Sequence, residues 1–485
     1  MPVKTSPSTT PALIEGGLAR LEEALRRDLA KIDYPKRDWV LPKTGPDGKR
    51  VLDVLILGGG QSGLGVAYGL MRQKVSNILI ADKNPEDFAG PWKTFARMIT
   101  LRTPKYVIGP DHDIPGLTFQ SWYEAQYGEK AWQNVDLVPK ELWADYLNWY
   151  KRFLNIPYVS ETEAGAIRWN PQHQCFEVPL TKNGKTETRY ARKIVYAVGI
   201  DGSGEWHVPS FVRNHLEPHL YAHTRHEIDF AKLKGKRVGV MGAGASAFDN
   251  ASVALETGAG EVHLFFRRKT LPNVNPYRWA EFTGFLNHHS DLDDADKWRF
   301  IKKILDIGQL PPTDTFGRAT QNPNFHLHAN SGIERAEQVG NAVRLHTTGG
   351  VHEVDFLIIG TGFITDLSLR PELQTIYPHV ALWSDRYTPP AELKHGDLSR
   401  HPYLGSHFEF TEKTAGESPY VCGIFNYTFG CLLSMGFGGA SISGMKYSLP
   451  KIVTGITRQL YLDDRDAYFK SLEAFDLKEF EVAAP

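Results

Sequence analysis

Two short apolar runs in the chain each end in a glycine-rich turn that opens a helix of small residues. The first run covers residues 51–57 and the second covers residues 237–241. A tight turn between a strand and a helix N-terminus lets the backbone approach a dinucleotide pyrophosphate closely. The pattern therefore predicts two dinucleotide-binding loops, which contain Gly58, Gly60, Gln61, Ser62 and Gly63 in the first and Gly242, Gly244, Ala245 and Ser246 in the second.

The residues that end the next strand of each unit differ in charge. In the first unit this strand ends on Asp82, followed by Lys83. A carboxylate at that position accepts hydrogen bonds from ribose hydroxyls and disfavours a 2'-phosphate, so it predicts the ADP part of FAD or NAD. In the second unit the strand ends on Arg267 and Arg268, whose guanidinium groups would pair with a 2'-phosphate. The sequence predicts bound FAD reduced by exchangeable NADPH, with NADH as the alternative.

Two further strand-and-turn patterns flank the second loop and predict how the units are connected. These are IVYAVG at 194–199 and DFLIIGTGF at 355–363, whose turn contributes Gly360, Thr361 and Gly362 as cofactor contacts. A chain that leaves one nucleotide domain, builds another and returns needs such a pair. We predict an α/β fold with two Rossmann-like dinucleotide-binding domains, the NADPH domain being inserted into a split FAD domain.

The predicted domain limits follow from these patterns. Leucines recur at helical spacing from Leu13 to Leu29, which predicts an amphipathic helix packed on the main body. The divisions are an N-terminal helix and linker at 1–48, the first part of the FAD domain at 49–215, the NADPH domain with a helical insertion at 216–365, and the second FAD part with C-terminal helices at 366–485.

The composition argues against several classes of protein, including those that bind nucleic acid or a membrane surface. The net charge of -1 gives no basic field for nucleic acid and no polybasic membrane patch. Three scattered cysteines are too few for a disulfide framework, and the N-terminus lacks a signal-peptide apolar core, so we expect a cytoplasmic protein. His326 and His328 would share one face of a strand, but no third ligand is in view and no metal is predicted. Whether the chain forms a homo-oligomer stays open.

The two loops, the element Gly90-Pro91-Trp92 and the DFLIIGTGF strand together resemble the class B flavoprotein monooxygenases. That group includes flavin-containing monooxygenases, Baeyer–Villiger monooxygenases and the ornithine and lysine N-hydroxylases. The FxGxxxH fingerprint of the first two is altered, because Glu217 and His219 occupy its Phe and Gly positions. By contrast, ITLRTP at 99–104 and the segment 426–434 are similar to the N-hydroxylases. The resemblance makes Trp92 a further cofactor contact.

The resemblance implies an FAD- and NADPH-dependent monooxygenase. In this group reduced FAD and dioxygen form a C4a-(hydro)peroxyflavin, which would oxygenate a small polar substrate at a heteroatom or heteroaromatic ring, by N-hydroxylation or ring hydroxylation. Baeyer–Villiger oxygenation of a carbonyl, and an NAD(P)H-dependent flavin reductase without oxygen transfer, are the alternatives. A redox sensor that binds both dinucleotides without turnover is a third.

Candidate catalytic and substrate residues come from this resemblance and from the chemistry of the side chains. Arg102 falls where flavin-containing monooxygenases have an asparagine beside the oxygenating flavin, and its cation would stabilise a peroxide or bind a substrate carboxylate. The alternative is a structural arginine paired with a nearby acid. Asn426 is the second catalytic candidate. Planar and hydrogen-bonding side chains predict substrate contacts at Asn273, Asn275 and Tyr277, and the resemblance of segment 426–434 to the N-hydroxylases adds Ser434.

Overall fold

The computed structural model describes residues 11–480. The first part of the chain forms a sheet with helices packed around it. The helices are α1 (Gly17–Lys31), α2 (Gln61–Arg72), α3 (Phe119–Tyr127), α4 (Glu129–Gln133) and α5 (Lys140–Phe153). The strands are β1 (Leu52–Leu57), β2 (Ile78–Ala81), β3 (Thr100–Pro104), β4 (Leu137–Pro139), β5 (Tyr158–Val159), β6 (Thr162–Ala164), β7 (Arg168–Asn170), β8 (Cys175–Lys182) and β9 (Lys185–Tyr196).

The central strand of this first sheet is β1, which pairs in parallel with β2 on one side and β9 on the other. Its residues after Leu52 are all buried. A parallel strand that is covered on both faces consists of consecutive apolar residues. This explains why polar and apolar residues do not alternate along β1. The predicted N-terminal helix is present as α1, which packs against α3 and buries Leu25.

The second part of the chain forms a second nucleotide sheet and two smaller sheets. Its strands are β10 (Gly204–Trp206), β11 (Tyr221–His223), β12 (Arg237–Met241), β13 (Glu261–Phe265), β14 (Phe325–His328), β15 (Ile333–Val339), β16 (Ala342–Thr347), β17 (Gly350–Val354), β18 (Phe356–Ile359) and β19 (Phe363–Thr365). Its helices are α6 (Ser210–Arg213), α7 (Ala245–Glu256), α8 (Pro276–Ala280), α9 (Thr283–His288), α10 (Asp294–Ile307) and α11 (Thr313–Thr320).

Five parallel strands form the second nucleotide sheet in the order β11-β18-β12-β13-β14, and an antiparallel meander of β15, β16 and β17 forms a separate three-stranded sheet. The chain then continues through α12 (Trp383–Arg386), α13 (Gly396–Ser399), β20 (Ile424–Asn426), α14 (Leu432–Met435), α15 (Met445–Asp463) and α16 (Arg465–Glu473).

The return of the chain to the first sheet is direct, because β20 pairs in parallel with β9. β10 and β19 pair with each other where the chain enters and leaves the second sheet. The predicted fold class is therefore confirmed: one nucleotide unit is inserted into the other. The domain limits at residues 48, 215 and 365 stay predictions. No helix within residues 11–480 is long and apolar enough to cross a bilayer.

Three buried histidines, and the partly buried His112, share one kind of environment. In each, a ring nitrogen lies within hydrogen-bond distance of a backbone carbonyl oxygen. The carbonyl belongs to Gly65 for His112, Gly362 for His223, Leu433 for His289 and Gly430 for His401. Burial lowers the pKa of each ring to about 4 from 6.5. All four rings are therefore neutral in the folded protein at neutral pH.

These histidines predict a loss of stability in mild acid. The unfolded chain binds more protons than the folded chain between pH 6.5 and about 4, so the free energy of unfolding falls as the pH drops through that range. Each histidine contributes about 1.4 kcal/mol per pH unit. Asp53 and Asp111 act in the opposite direction, because burial raises the pKa of each to about 6. Four groups outweigh two, and the net effect is destabilisation.

Urea unfolding midpoints between pH 7 and pH 5 measure this effect. In His401→Asn the amide nitrogen replaces the ring Nδ1 that faces the Gly430 carbonyl and cannot titrate. We therefore expect this variant to lose less stability in acid than the wild type. A midpoint that does not change with pH would contradict the prediction.

Candidate active site between the two nucleotide units

One cavity of about 600 Å³ lies between the two nucleotide units and is lined by residues of both glycine loops. This volume is within the usual range for ligand and cofactor sites. Its walls include residues from both units and from the connecting segments, among them Gly58, Gly60, Gln61, Ser62, Asp82, Lys83, Trp92, Arg102, Ser246, Asp249 and Asn250.

Each loop contains a glycine that has a positive φ and no space for a side chain. Gly58 has a φ of 98°, and a Cβ on it would lie 2.5 Å from the carbonyl oxygen of Ala197. Gly242 has a φ of 114°, and a Cβ there would lie 2.3 Å from the carbonyl oxygen of Gly360. Only glycine fits either position, because L-residues rarely adopt this φ and no space exists for a side chain. Each loop thus brings the strand end against the neighbouring strand and leaves the helix N-terminus open to the cavity.

Asp82, the predicted ribose ligand, holds the first loop in place. Asp82 is buried, and its carboxylate accepts hydrogen bonds from the backbone nitrogens of Gly59 at 2.6 Å and Asn84 at 2.7 Å. The Trp143 indole donates to the Gln61 side chain at 3.1 Å. The Ser62 hydroxyl donates to the Gly439 carbonyl, which ties the first loop to the segment after β20.

Unpartnered polar atoms in the cavity wall fit a bound cofactor and substrate. The Trp92 indole nitrogen, Arg102 Nε and Asn250 Oδ1 are buried and make no hydrogen bond to any residue between 11 and 480. A buried polar group without a partner is costly, so native proteins normally satisfy such groups. With the two glycine loops, these atoms fit FAD along the first loop and NADPH along the second.

The two predicted 2'-phosphate ligands of the second unit differ in the structure. Arg268 donates to the carbonyl oxygens of Ile307 at 2.8 Å and Asp306 at 2.9 Å, at the C-terminal end of α10. Its guanidinium therefore stabilises a helix end. Arg267 is exposed beside it. Arg267 is consequently the better placed of the two for a 2'-phosphate, and both assignments stay predictions.

The turn after β18 supports the second loop. Gly360 donates its backbone nitrogen to the Met241 carbonyl at 2.7 Å. The Thr361 hydroxyl donates to the His207 carbonyl, and the Gly362 carbonyl faces the ring of His223. A methyl group on Gly360 would approach the Cβ of Ala247 to 2.9 Å, the residue that stands where the first loop has Gly63. Close packing of helix and strand is thus kept in both loops.

Gly244 offers a test of NADPH binding that spares the fold. It has an extended φ of -75°, precedes α7, and a Cβ on it would meet no protein atom within 4 Å. We expect Gly244→Ala to keep its FAD content and its melting temperature but to raise the KM for NADPH roughly tenfold or more, because the added methyl group lies where the pyrophosphate approaches the backbone. An unchanged KM would place the pyrophosphate elsewhere.

Arg102 pairs with an acid, as one interpretation of the sequence expected, and the pair lies in the cavity wall. Its Nη2 is 3.2 Å from Oδ2 of Asp249, and Oδ1 of the same carboxylate accepts a hydrogen bond from the Thr315 hydroxyl at 3.0 Å. Arg102 extends from β3 and Asp249 from α7, so the ion pair joins the two nucleotide units. The Arg102 side chain keeps 29% of its surface exposed, whereas Asp249 keeps 4%. Part of the guanidinium is therefore available to a ligand.

Burial weakens the charged state of both partners. It lowers the pKa of Arg102 and raises the pKa of the Asp249 carboxyl, while each partner opposes the shift of the other. A substrate anion on the free side of the guanidinium would further favour its charge. The structure thus combines the two sequence interpretations: Arg102 is paired with an acid and still faces the cavity.

The other predicted site residues lie in different environments. Tyr277 stacks on Phe437 with ring centroids 5.3 Å apart, and Arg102 opposes the rise in its pKa that burial causes. The Asn275 side chain accepts from the backbone of Tyr277 and Arg278 and caps α8, and Asn273 is exposed. Their contacts with substrate stay predictions.

Asn426 and Ser434 are both buried and do not line the cavity. Asn426 accepts from the Thr428 hydroxyl at 2.7 Å. The Ser434 hydroxyl accepts from the Trp383 indole at 2.9 Å and from the backbone nitrogen of Leu404 at 3.1 Å. The Ser434 contacts are those of a residue that holds the C-terminal segment together. A direct role in the reaction is untested for both residues.

Asp249 lines the cavity and pairs with Arg102, but it was not among the residues predicted from the sequence. The signal was present, since it is a carboxylate inside a helix of small and apolar residues that follows the second glycine loop. Such an acid is seldom buried without a partner. The partner, Arg102, lies 147 positions away in sequence, so the pairing required the fold.

The fold and the cavity define a flavoprotein with one site for FAD and one for NADPH. Family models agree: one described as FAD-NAD(P)-binding matches residues 55–201, and one described as L-lysine 6-monooxygenase/L-ornithine 5-monooxygenase matches residues 132–298. The FAD-dependent urate hydroxylase of Xanthomonas campestris pv. campestris is 41% identical over 471 residues, which is 96% of this chain and 97% of that protein. The chain belongs to the class B flavoprotein monooxygenases, in the same family as this Xanthomonas enzyme.

Solved structures share the fold at low sequence identity. The ornithine N-hydroxylase of Kutzneria sp. 744 superposes with a TM-score of 0.66 at 15% identity, covering 84% of this chain and 99% of that one. The L-lysine 6-monooxygenase of Pseudomonas syringae gives 0.62 at 18% identity, with 84% and 99% covered. The predicted cofactors and reaction class are confirmed: the protein is an FAD- and NADPH-dependent monooxygenase that performs N-hydroxylation or ring hydroxylation.

Proposed function

We propose that the protein hydroxylates the ring of urate, with NADPH as electron donor and dioxygen as oxidant. The observation that carries this proposal is the 41% identity to a urate hydroxylase over nearly the whole of both chains. In the reaction, a hydride from NADPH (two electrons and one proton) and one further proton from solvent reduce dioxygen. One oxygen atom forms a carbon–oxygen bond to the purine ring, and the other leaves as water.

The residues of the cavity suit a planar, anionic heterocycle. Urate carries a negative charge near neutral pH, and the free side of the Arg102 guanidinium supplies a matching cation. The unpartnered Trp92 indole nitrogen and Asn250 carbonyl oxygen supply a donor and an acceptor in the same wall. Tyr277 lies near Arg102, beyond the residues that line the cavity, and stacks on Phe437. These features support an oxidised purine over a flexible aliphatic chain.

FAD, when bound, supplies the chemistry that activates dioxygen. The backbone of the first loop and the N-terminus of α2 would hold its pyrophosphate, and Asp82 would face its ribose. The link from Ser62 to Gly439 would fix the segment after β20 against the same loop. This chain's residues would therefore position the cofactor and bind the substrate anion.

The test is direct. Purified FAD-loaded protein is mixed with NADPH, air-saturated buffer and urate, and the loss of urate and of NADPH is followed together with hydrogen peroxide. We expect urate and NADPH to disappear in equal amounts, with one oxygen atom from labelled dioxygen in the product. Faster NADPH oxidation that yields only peroxide, with urate intact, would refute urate as the substrate.

A second candidate is N-hydroxylation of an amino acid amine. The observation that favours it is the match of residues 132–298 to the lysine and ornithine monooxygenase model. Arg102 would then pair with the substrate carboxylate. The same assay with L-lysine or L-ornithine in place of urate distinguishes the two, because only the true substrate couples NADPH oxidation to product.

A further inference from the structure

Four histidines gather on one face of the second nucleotide sheet, away from the cavity. His263 lies on β13, His326 and His328 on β14, and His352 on β17. One ring nitrogen from each of His263, His328 and His352 lies within 4.8 Å of the others. Nδ1 of His263 and Nε2 of His328 are 3.0 Å apart. The sequence had offered only His326 and His328, and the fold supplies the third ring that was missing.

The register of the strands explains this gathering. β13 and β14 are parallel, with His263 opposite His326 and Phe265 opposite His328, so alternate residues of both strands share a face. β17 brings His352 to that face, where its ring centroid is 4.7 Å from that of His328. Phe265 stacks on His328 at 4.6 Å, which restricts the orientation of that ring. The three rings converge from three separate strands.

We propose that His263, His328 and His352 bind one divalent transition-metal ion of the Zn²⁺ type, at a site separate from the flavin reaction. Imidazole nitrogens are favoured ligands for Zn²⁺, Ni²⁺ and Cu²⁺, whereas Ca²⁺ and Mg²⁺ require oxygen. Two imidazole nitrogens on a tetrahedral zinc ion lie about 3.3 Å apart, given Zn–N bonds of about 2.0–2.1 Å. The pair at 3.0 Å is close to that separation. A fourth position is left for water.

Glu261 decides which nitrogen of His263 faces the ion. Its Oε2 lies 3.1 Å from Nε2 of His263, on the opposite side of the ring from Nδ1. A ligand histidine commonly donates its other ring N–H to a carboxylate, which fixes the tautomer and the ring orientation. With Nε2–H held by Glu261, Nδ1 is free to bind the ion. Glu261, His263 and His326 form a second compact group, which shares His263 with the first.

The position of the site suggests what the ion does. It would cross-link β13, β14 and β17, and so join the edge of the nucleotide sheet to the meander. Arg267 lies two residues after the end of β13, so the ion would also steady the strand that leads to this cation. The three rings are only partly buried, which leaves a path for the ion to enter.

Calorimetric titration with ZnCl₂ tests the proposal, using tag-free, FAD-loaded protein from which metals have been removed with a chelator. We expect one ion per chain. His352→Gln should bind it more weakly by about tenfold or more, and Glu261→Gln by about tenfold, as for the loss of an outer carboxylate. His326→Gln should bind like the wild type. Co²⁺ titration adds a visible spectrum that reports tetrahedral coordination.

His219→Gln is the matched control. His219 is an exposed histidine whose Nδ1 lies 3.2 Å from Glu217, so it repeats the His263–Glu261 contact and belongs to neither histidine group found among residues 11–480. FAD content and circular dichroism verify that each variant is folded. Equal zinc binding by wild type and His352→Gln overturns the proposal, as does the absence of binding to the wild type. Loss of binding in His326→Gln but not in His352→Gln would assign the ion to the Glu261 group instead.

Discussion

Replacing Arg102 with alanine is expected to divert most NADPH consumption into release of hydrogen peroxide. The guanidinium is the cation of the ion pair that joins the two units in the cavity wall, and its free side faces the space for substrate. A charge-assisted hydrogen bond contributes about 1.5–3 kcal/mol, so the KM for the substrate should rise by a factor of roughly 10 to 100. Peroxide and NADPH measured in the same reaction give the coupling. A coupling ratio equal to that of the wild type would remove Arg102 from the reaction.

Asp249 provides the control for this variant. Loss of Arg102 leaves a buried carboxylate without its counter-charge, which destabilises the protein independently of any substrate effect. The double variant Arg102→Ala/Asp249→Asn removes both charges, and we expect it to recover part of the melting temperature but not the coupling. If the double variant recovered both, Arg102 would act only as a structural partner of Asp249.

Replacing Gly58 with alanine is expected to yield protein nearly free of FAD. The residue has a φ of 98°, and the added Cβ would lie 2.5 Å from the Ala197 carbonyl oxygen and 2.9 Å from the Cα of Val198. Both neighbours are backbone atoms of the segment that directly follows β9, so they cannot move aside as a flexible side chain could. A cost of about 3 kcal/mol, typical of strain at such positions, lowers FAD affinity by a factor of roughly 100. The ratio of flavin to protein absorbance after gel filtration measures it.

Gly184→Ala separates backbone strain from steric conflict. Gly184 has a φ of 74° in the turn between β8 and β9, and a Cβ there would meet no atom within 4 Å. We expect this variant to lose about 1 kcal/mol of stability, the ordinary cost of a left-handed residue, and to keep its flavin. A Gly58→Ala protein with the wild-type flavin ratio would show that the first loop tolerates a side chain.

The reaction class and both cofactors followed from short, contiguous segments. A glycine loop specifies its backbone path by its own residues, because positive φ values and close approach to the next strand exclude side chains at Gly58 and Gly242. The difference between Asp82 and Arg267 is likewise local. Such features can be predicted from a single sequence because all their parts lie within about thirty residues, in a strand, a turn, a helix and the next strand.

Pairings between distant residues required the tertiary structure. Arg102 was a candidate from its position in ITLRTP, but its partner Asp249 comes from the other nucleotide unit. The contacts of Arg268 with the end of α10, and of the Ser434 hydroxyl with Trp383 and Leu404, came only from the fold. The phosphate and substrate roles of these two residues stay predictions. The histidine face depends on the register of β13 against β14 and on the return of β17. The sequence by itself determined the two dinucleotide loops, because the local backbone geometry of a glycine turn is set by its own residues. The tertiary structure decided which charged and polar side chains meet, because strand register and the return of the chain bring distant residues together.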